Sequence, residues 1–194
     1  MDTENKIFKS IQTIHQMLLD RKHDPEDVKD LLKYQAGETS ALEHSNNIFS
    51  INLPKINTVI IYVLSVKQRI NDIKRFVEDN DSDQGTSYIL VVNEKLNATD
   101  QGKLNAYDFQ IFNLNTLQYN ISKHELVPKH ELIKDQKEIQ NIMEQYQLRS
   151  VNQFPYILRT DPMAKYLNAK VGNLMKVTRI SPSCGTNIVY RYVL

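Results

Sequence analysis

The run Val59-Ile-Ile-Tyr-Val-Leu64 limits the fold more than any other stretch of the chain. It carries no charge and is rich in β-branched residues, which suit a pleated strand. A strand with one wet face alternates polar and apolar residues; one without alternation needs cover on both faces. The run is also far too short for a membrane-spanning helix, which takes about 20 apolar residues. The chain must therefore supply layers above and below a central strand.

The flanking sequence offers them. Ile7, Ile11, Ile14 and Leu18 recur at helical spacing and predict a helix from about Thr3 to Arg21. Asp24-Pro25-Glu26-Asp27 predicts a second helix start, with Asp24 as cap, Val28, Leu31 and Leu32 buried, and Gly37 at its end. Phe49, Ile51 and Leu53 alternate and stop at Pro54, the pattern of a half-buried or edge strand. Ser65 opens a predicted helix with Val66, Ile70, Ile73 and Val77 inside and Lys67, Arg69, Lys74 and Arg75 outside. Tyr88–Val92, Thr99–Tyr107 and Phe109–Leu114 read as strand, helix and strand. This alternation predicts an α/β domain over residues 1–118 with a mainly parallel sheet.

Residues 119–194 read differently, as a small α+β domain. Asp135-x-x-Glu138 resembles a capping box ahead of the stripe Ile139, Ile142, Met143 and Tyr146. Phe154–Ile157 is extended, Asp161-Pro162 starts a short helix holding Met163, Tyr166 and Leu167, and Gly172 permits the turn out of it. Leu174–Ile180 and Asn187–Leu194 are strands joined by the turn Ser181–Thr186.

Charge separates the two parts as well. Residues 1–118 carry 13 Lys+Arg against 17 Asp+Glu, a net of −4; residues 119–194 carry 11 against 6, a net of +5. Autonomous nucleic-acid binders draw most of their affinity from phosphate neutralisation, and neither part is basic enough for that. The single cysteine, Cys184, rules out an internal disulfide framework and fits a reducing compartment. The N-terminus has neither the basic nor the apolar region of a signal peptide, and no run suits a membrane span.

Chemistry-bearing motifs are few. In His124-Glu125…His130 the histidines are six apart with Pro128 between them, whereas a zinc-protease helix needs four and no proline. Asp72-Ile73-Lys74 has the carboxylate-x-lysine spacing of metal-dependent nucleases but falls on a helix with its charges outward. Cys184 has no histidine nearby in sequence, and the five glycines are isolated rather than gathered into a phosphate loop. The expectation is a chain without catalytic, metal-binding or cofactor-binding residues. The loop from Glu94 to Asp100 joins a strand end to a helix start, the edge at which open parallel sheets meet ligands.

The C-terminal text resembles one family, the fifth subunit shared by eukaryotic RNA polymerases, whose C-terminal part is similar to a small archaeal RNA polymerase subunit. The matching residues are His124-Glu-Leu-Val-Pro-Lys-His130, the Tyr-x-Leu-Arg149 helix end, Asp161-Pro-Met-Ala-Lys-Tyr-Leu167, Lys170-Val-Gly172, Lys176-Val-x-Arg179 and Tyr190-Arg191. Asp20-Arg21 and the Ile89–Lys103 strand–loop–helix are similar, more loosely, to the family's N-terminal jaw domain, which the archaeal proteins lack. Tyr156 and Phe154 depart from the expected arginine and leucine, Ser181-Pro-Ser-Cys-Gly185 departs from Ser-Glu-Thr-Ala-Gly, and the region after Gly37 is abbreviated. Such drift suits a large DNA virus or a divergent protist.

The resemblance implies a non-catalytic polymerase subunit whose C-terminal domain docks on the largest subunit while the jaw lies along downstream duplex DNA. It would work within that complex, not as a homo-oligomer, in the nucleus if cellular or in a virion or cytoplasmic factory if viral. Lys95, Asn97, Ala98 and Thr99 would be DNA-proximal. His124, Val127, Pro128, His130, Asp161, Pro162, Arg179, Ser183, Gly185 and Arg191 would meet the partner. Two alternatives stand beside it: a free-standing metal-dependent nucleic-acid-processing enzyme using Asp72 and Lys74, and an adaptor unrelated to transcription.

Overall fold

The computed structural model describes residues 3–33, 48–64, 73, 86–94, 96, 104, 109–181 and 185–194. The chain divides into two compact units, Met1–Tyr119 and Asn120–Leu194. No helix among the described residues is long and apolar enough to cross a membrane.

The first unit opens with helix α1 (Thr3–Asp20), in which Ile7, Ile11, Ile14 and Leu18 are buried as their spacing predicts, together with Ser10, Thr13 and Met17. Helix α2 (Pro25–Val28) runs directly into a 3-10 segment, Lys29–Lys33. Asp24 has the extended backbone of a cap, but its side chain makes no capping hydrogen bond. The tighter 3-10 winding also changes which side chains face inward. Leu31 is buried while Leu32, expected beside it, is 47% exposed. Gly37 lies outside the described residues.

A four-stranded sheet follows: β1 (Ile48–Leu53), β2 (Thr58–Val63), β3 (Ser87–Val92) and β4 (Gln110–Asn113), in that spatial order. β1 pairs antiparallel with β2, while β2–β3 and β3–β4 are parallel. The sheet is thus mixed, with the antiparallel strand at one edge. That edge strand buries Phe49, Ile51 and Leu53 in alternation, as its sequence requires. Every residue of β2 is buried. Val59, Ile61 and Val63 join Tyr88, Leu90 and Val92 in a core with Ile73, Leu104 and Phe109. Ile73 and Leu104 are helical, so helical residues line this face. On the other face Tyr62 stacks on Phe49, with centroids 4.6 Å apart, and its hydroxyl meets Ser10 of α1 at 3.0 Å. Arg21 anchors the end of α1 by donating to Gln110 Oε1 at 2.7 Å. The remaining helix positions from Ser65 to Val77 and from Thr99 to Tyr107 lie outside the described residues.

The second unit is built on another four-stranded sheet, with spatial order β5 (Lys129–Ile133), β7 (Leu174–Ser181), β8 (Gly185–Val193) and β6 (Tyr156–Ile157). β5–β7 and β7–β8 are antiparallel; β6 runs parallel to β8. Helix α3 (Gln136–Gln145) sets Ile139 and Ile142 against Ile133, Phe154 and Leu174, with Tyr190 and Tyr192 packed at the margin. Asp135 starts it by accepting from the Lys137 N–H. The reciprocal capping box of the unit occurs instead at Ser150–Gln153, on a 3-10 turn. Tyr146, expected in the stripe, is 49% exposed and meets Tyr190 edge-on at 5.6 Å. Helix α4 (Pro162–Tyr166) buries Met163, Ala164 and Tyr166.

Candidate partner interface

Alternation along β7 and β8 sorts the second unit's side chains onto two faces. Leu174, Lys176 and Tyr190 lie on the face covered by α3, and there Lys176 pairs across the ladder with Glu131 of β5. Glu131 also meets Lys129 at 3.0 Å, so two lysines of that face share one carboxylate. The other face carries Met175, Val177 and Val193, all buried, together with Arg179 and Arg191. His130 stands opposite Val177 in register and shares this face.

Of the sequence-predicted partner residues, Asp161, Arg179 and Arg191 all come within electrostatic reach of His130. Burial is the main influence on the His130 imidazole and lowers its pKa from the usual histidine range. The Pro128 carbonyl, 2.6 Å from Nδ1, and the Asp161 carboxylate oppose that shift, while the two guanidinium groups add to it. Asp161 is committed locally: it caps α4 by accepting from the Met163 N–H at 2.8 Å and the Ala164 N–H at 3.3 Å. Pro162 occupies the first turn of the helix, where a missing N–H costs nothing. Arg191 donates to the Tyr156 carbonyl at 3.3 Å and so ties β8 to β6. Arg179 is exposed. Among the described residues the arginines of this face are not joined to any carboxylate by an ion pair.

The remaining predicted positions fall elsewhere. His124 is exposed and accepts the Leu126 N–H on Nδ1 in a tight turn closed by Val127 N–H to the His124 carbonyl. Val127 and Pro128 are half-buried and lead that turn into β5. Gly185 begins β8 at φ +68, a left-handed conformation glycine adopts without penalty. Ser183 lies outside the described residues, as do Lys95, Asn97, Ala98 and Thr99, the basic helix face, and Asp72 and Lys74. Tyr156, the departure from the expected arginine, directs its hydroxyl to the Asn152 carbonyl at 3.0 Å. Sequence reading missed two exposed apolar residues on the hairpin, Ile180 (90% exposed) and Ile188. Strand composition gave no sign of them, because their exposure follows from β5 ending opposite Thr178 and β6 reaching only Tyr192.

The second unit is a compact α+β fold whose sheet carries Arg179 and Arg191 on one face and the exposed Ile180 and Ile188 on the other. Comparison with known proteins gives the module its family. A family model described as RNA polymerase Rpb5, C-terminal domain, matches residues 119–193. The DNA-directed RNA polymerase subunit Rpo5 of Sulfolobus acidocaldarius is 41% identical over 75 residues, covering 39% of this chain and 87% of that protein. Rpo5 of Methanosphaera stadtmanae is 38% identical over 77 residues, 40% of this chain and 97% of its own length. The similarity extends over the whole chain to the rpabc1 subunit of DNA-directed RNA polymerases I, II and III in Dictyostelium discoideum, at 26% identity over 200 residues and 98% of each. The chain belongs to the Rpb5 family of RNA polymerase subunits, which is non-catalytic.

Proposed function

We propose that this protein works as a non-catalytic subunit of a multisubunit DNA-directed RNA polymerase, docking through residues 119–194 on the largest subunit and holding residues 1–118 as a jaw near downstream duplex DNA. The observation that carries the reading is the double relationship. Residues 119–193 match archaeal subunits that consist of little else, and the full length aligns with a eukaryotic subunit. The division into compact units between Tyr119 and Asn120 supports a separate docking domain.

Electrostatics supports the division of labour. The first part, at net −4, has little means of holding duplex DNA alone, so its loop around Lys95–Thr99 would reach DNA because the polymerase holds both. The second part, at net +5, sets Arg179 and Arg191 within electrostatic reach of His130, among the residues proposed to dock. The protein would act wherever transcription takes place, in the nucleus of a cell or in a viral factory.

Quantitative pull-down with the largest polymerase subunit tests the reading. Arg191→Ala should weaken incorporation while leaving the far-ultraviolet circular dichroism unchanged, and Arg69→Ala and Lys74→Ala should assemble normally. Assembly abolished by the jaw substitutions and untouched by Arg191→Ala would reverse the assignment. Isolated residues 1–118 should bind duplex DNA no more tightly than the roughly 10⁻⁴ to 10⁻⁶ M of non-specific binders.

A further inference from the structure

Among the described residues, β8 is bordered by a strand on its outer side only at its end. β6 pairs with Tyr192 and Val193 and contributes two residues. The hydrogen bonds fix which amides point outward: Tyr192 and Leu194 donate to Pro155 and Ile157, whereas Val193 donates the other way, to Asn173. By the two-residue repeat of a strand, Thr186, Ile188 and Tyr190 direct their N–H and C=O groups to the same outer side. Among the described residues no strand pairs with them. An open edge of this kind is a template for another extended chain.

The chemistry beside the edge selects what would fit it. On one face of the sheet the edge is flanked by Ile188 and Tyr190; on the other lie Arg191 and, one strand further in, Arg179. Asp161, which like both arginines lies within electrostatic reach of His130, is held at the α4 start by two backbone N–H groups, and no ion pair joins it to either arginine among the described residues. A strand added to the edge would alternate in the same way, apolar side chains beside Ile188 and carboxylates beside the arginines. Charge-assisted pairing of guanidinium with carboxylate is strong and geometrically selective.

We infer that the outer edge of β8 receives an extended acidic segment of a protein partner as an added strand, with the main chain paired to Thr186, Ile188 and Tyr190 and its carboxylates set against Arg191 and Arg179. This rests on the docking role proposed above and specifies the chemistry of the segment that docks.

Two measurements on the full-length chain separate the inference from that role. The first uses capped, fluorescently labelled peptides of alternating valine and glutamate, of alternating valine and lysine, and a valine–glutamate peptide N-methylated on alternate residues. The valine–glutamate peptide should bind, and about tenfold of its affinity should vanish on N-methylation, on replacement by lysine, and with Arg179→Glu. Arg191→Glu should act in the same direction; because Arg191 also holds Tyr156, the exposed Arg179 is the variant that decides. Binding that ignores N-methylation, or equal binding of the lysine peptide, overturns the inference, as does no binding at all. The second measurement is pull-down with the largest polymerase subunit. Failure of the unaltered chain to assemble overturns the polymerase role alone, and the peptide results stand apart from it.

Discussion

The buried pair Ser10 and Tyr62 ties α1 to the central strand of the first unit, and the hydrogen-bond geometry predicts an unequal response to its removal. Both side chains are fully buried. Ser10 Oγ lies 2.6 Å from the Ile7 carbonyl, an acceptor only, so its single proton goes there. The 3.0 Å contact must then run from the Tyr62 hydroxyl to Ser10 Oγ. Tyr62→Phe removes one donor and leaves Ser10 satisfied through Ile7, which should cost about 0.5–1.5 kcal/mol. Ser10→Ala strands a buried phenol that has no other hydrogen-bond partner among the described residues, which should cost about 1–3 kcal/mol. The double variant leaves neither group unpaired and should be less destabilised than the sum of the single variants, by about 1 kcal/mol. Urea unfolding followed by far-ultraviolet circular dichroism measures the cycle. A second signature is alkaline. Burial holds the Tyr62 phenol neutral well above the usual tyrosine value of 10.0, so the unfolded chain ionises first. Stability should be intact below pH 10 and fall as pH rises beyond it, and that component should vanish in Tyr62→Phe. Ser10→Ala costing no more than Tyr62→Phe, or a strictly additive double variant, would refute the donor assignment.

Three further outcomes are expected in the second unit. Asp161→Ala should destabilise it by about 0.5–2 kcal/mol through loss of the α4 cap, and Asp161→Asn should recover most of that, both read from thermal melts. Gly172→Ala should cost about 1 kcal/mol, because φ is +94 there while the added methyl would meet only the Tyr192 hydroxyl at 4.0 Å. Because the folded pKa of His130 is lowered from 6.5, its contribution to stability should be present above that pH and lost as pH falls further. His130→Gln should flatten the acid limb of the melting profile, whereas an unchanged limb would assign it to other groups.

Local signals were sufficient wherever neighbours in sequence were also neighbours in space. The 4-3-4 stripe of Ile7, Ile11, Ile14 and Leu18, the unbroken apolar run of β2 and the alternation of β1 each specify an element and its buried side, because helix and strand periods are properties of the backbone itself. Asp161-Pro162 likewise set its helix start, with the cap and its N–H donors only two and three residues apart. Leu32 marks the boundary of that logic: the pattern suited an α-helix, and the switch to 3-10 winding turned it outward. The candidate interface lay beyond local reach altogether. His130, Asp161, Arg179 and Arg191 are scattered from the first strand of the second unit to its last; the β5–β7–β8 register brings the histidine and both arginines to one face, and the placing of α4 brings Asp161 within reach of His130. The open edge of β8 has the same origin. Sequence made β8 a strand, but where it lacks a neighbour depends on β6 pairing for just two residues, through hydrogen bonds between segments far apart in the chain. Period and capping are encoded within a few residues, whereas pairing and charge convergence are set by the chain's return on itself.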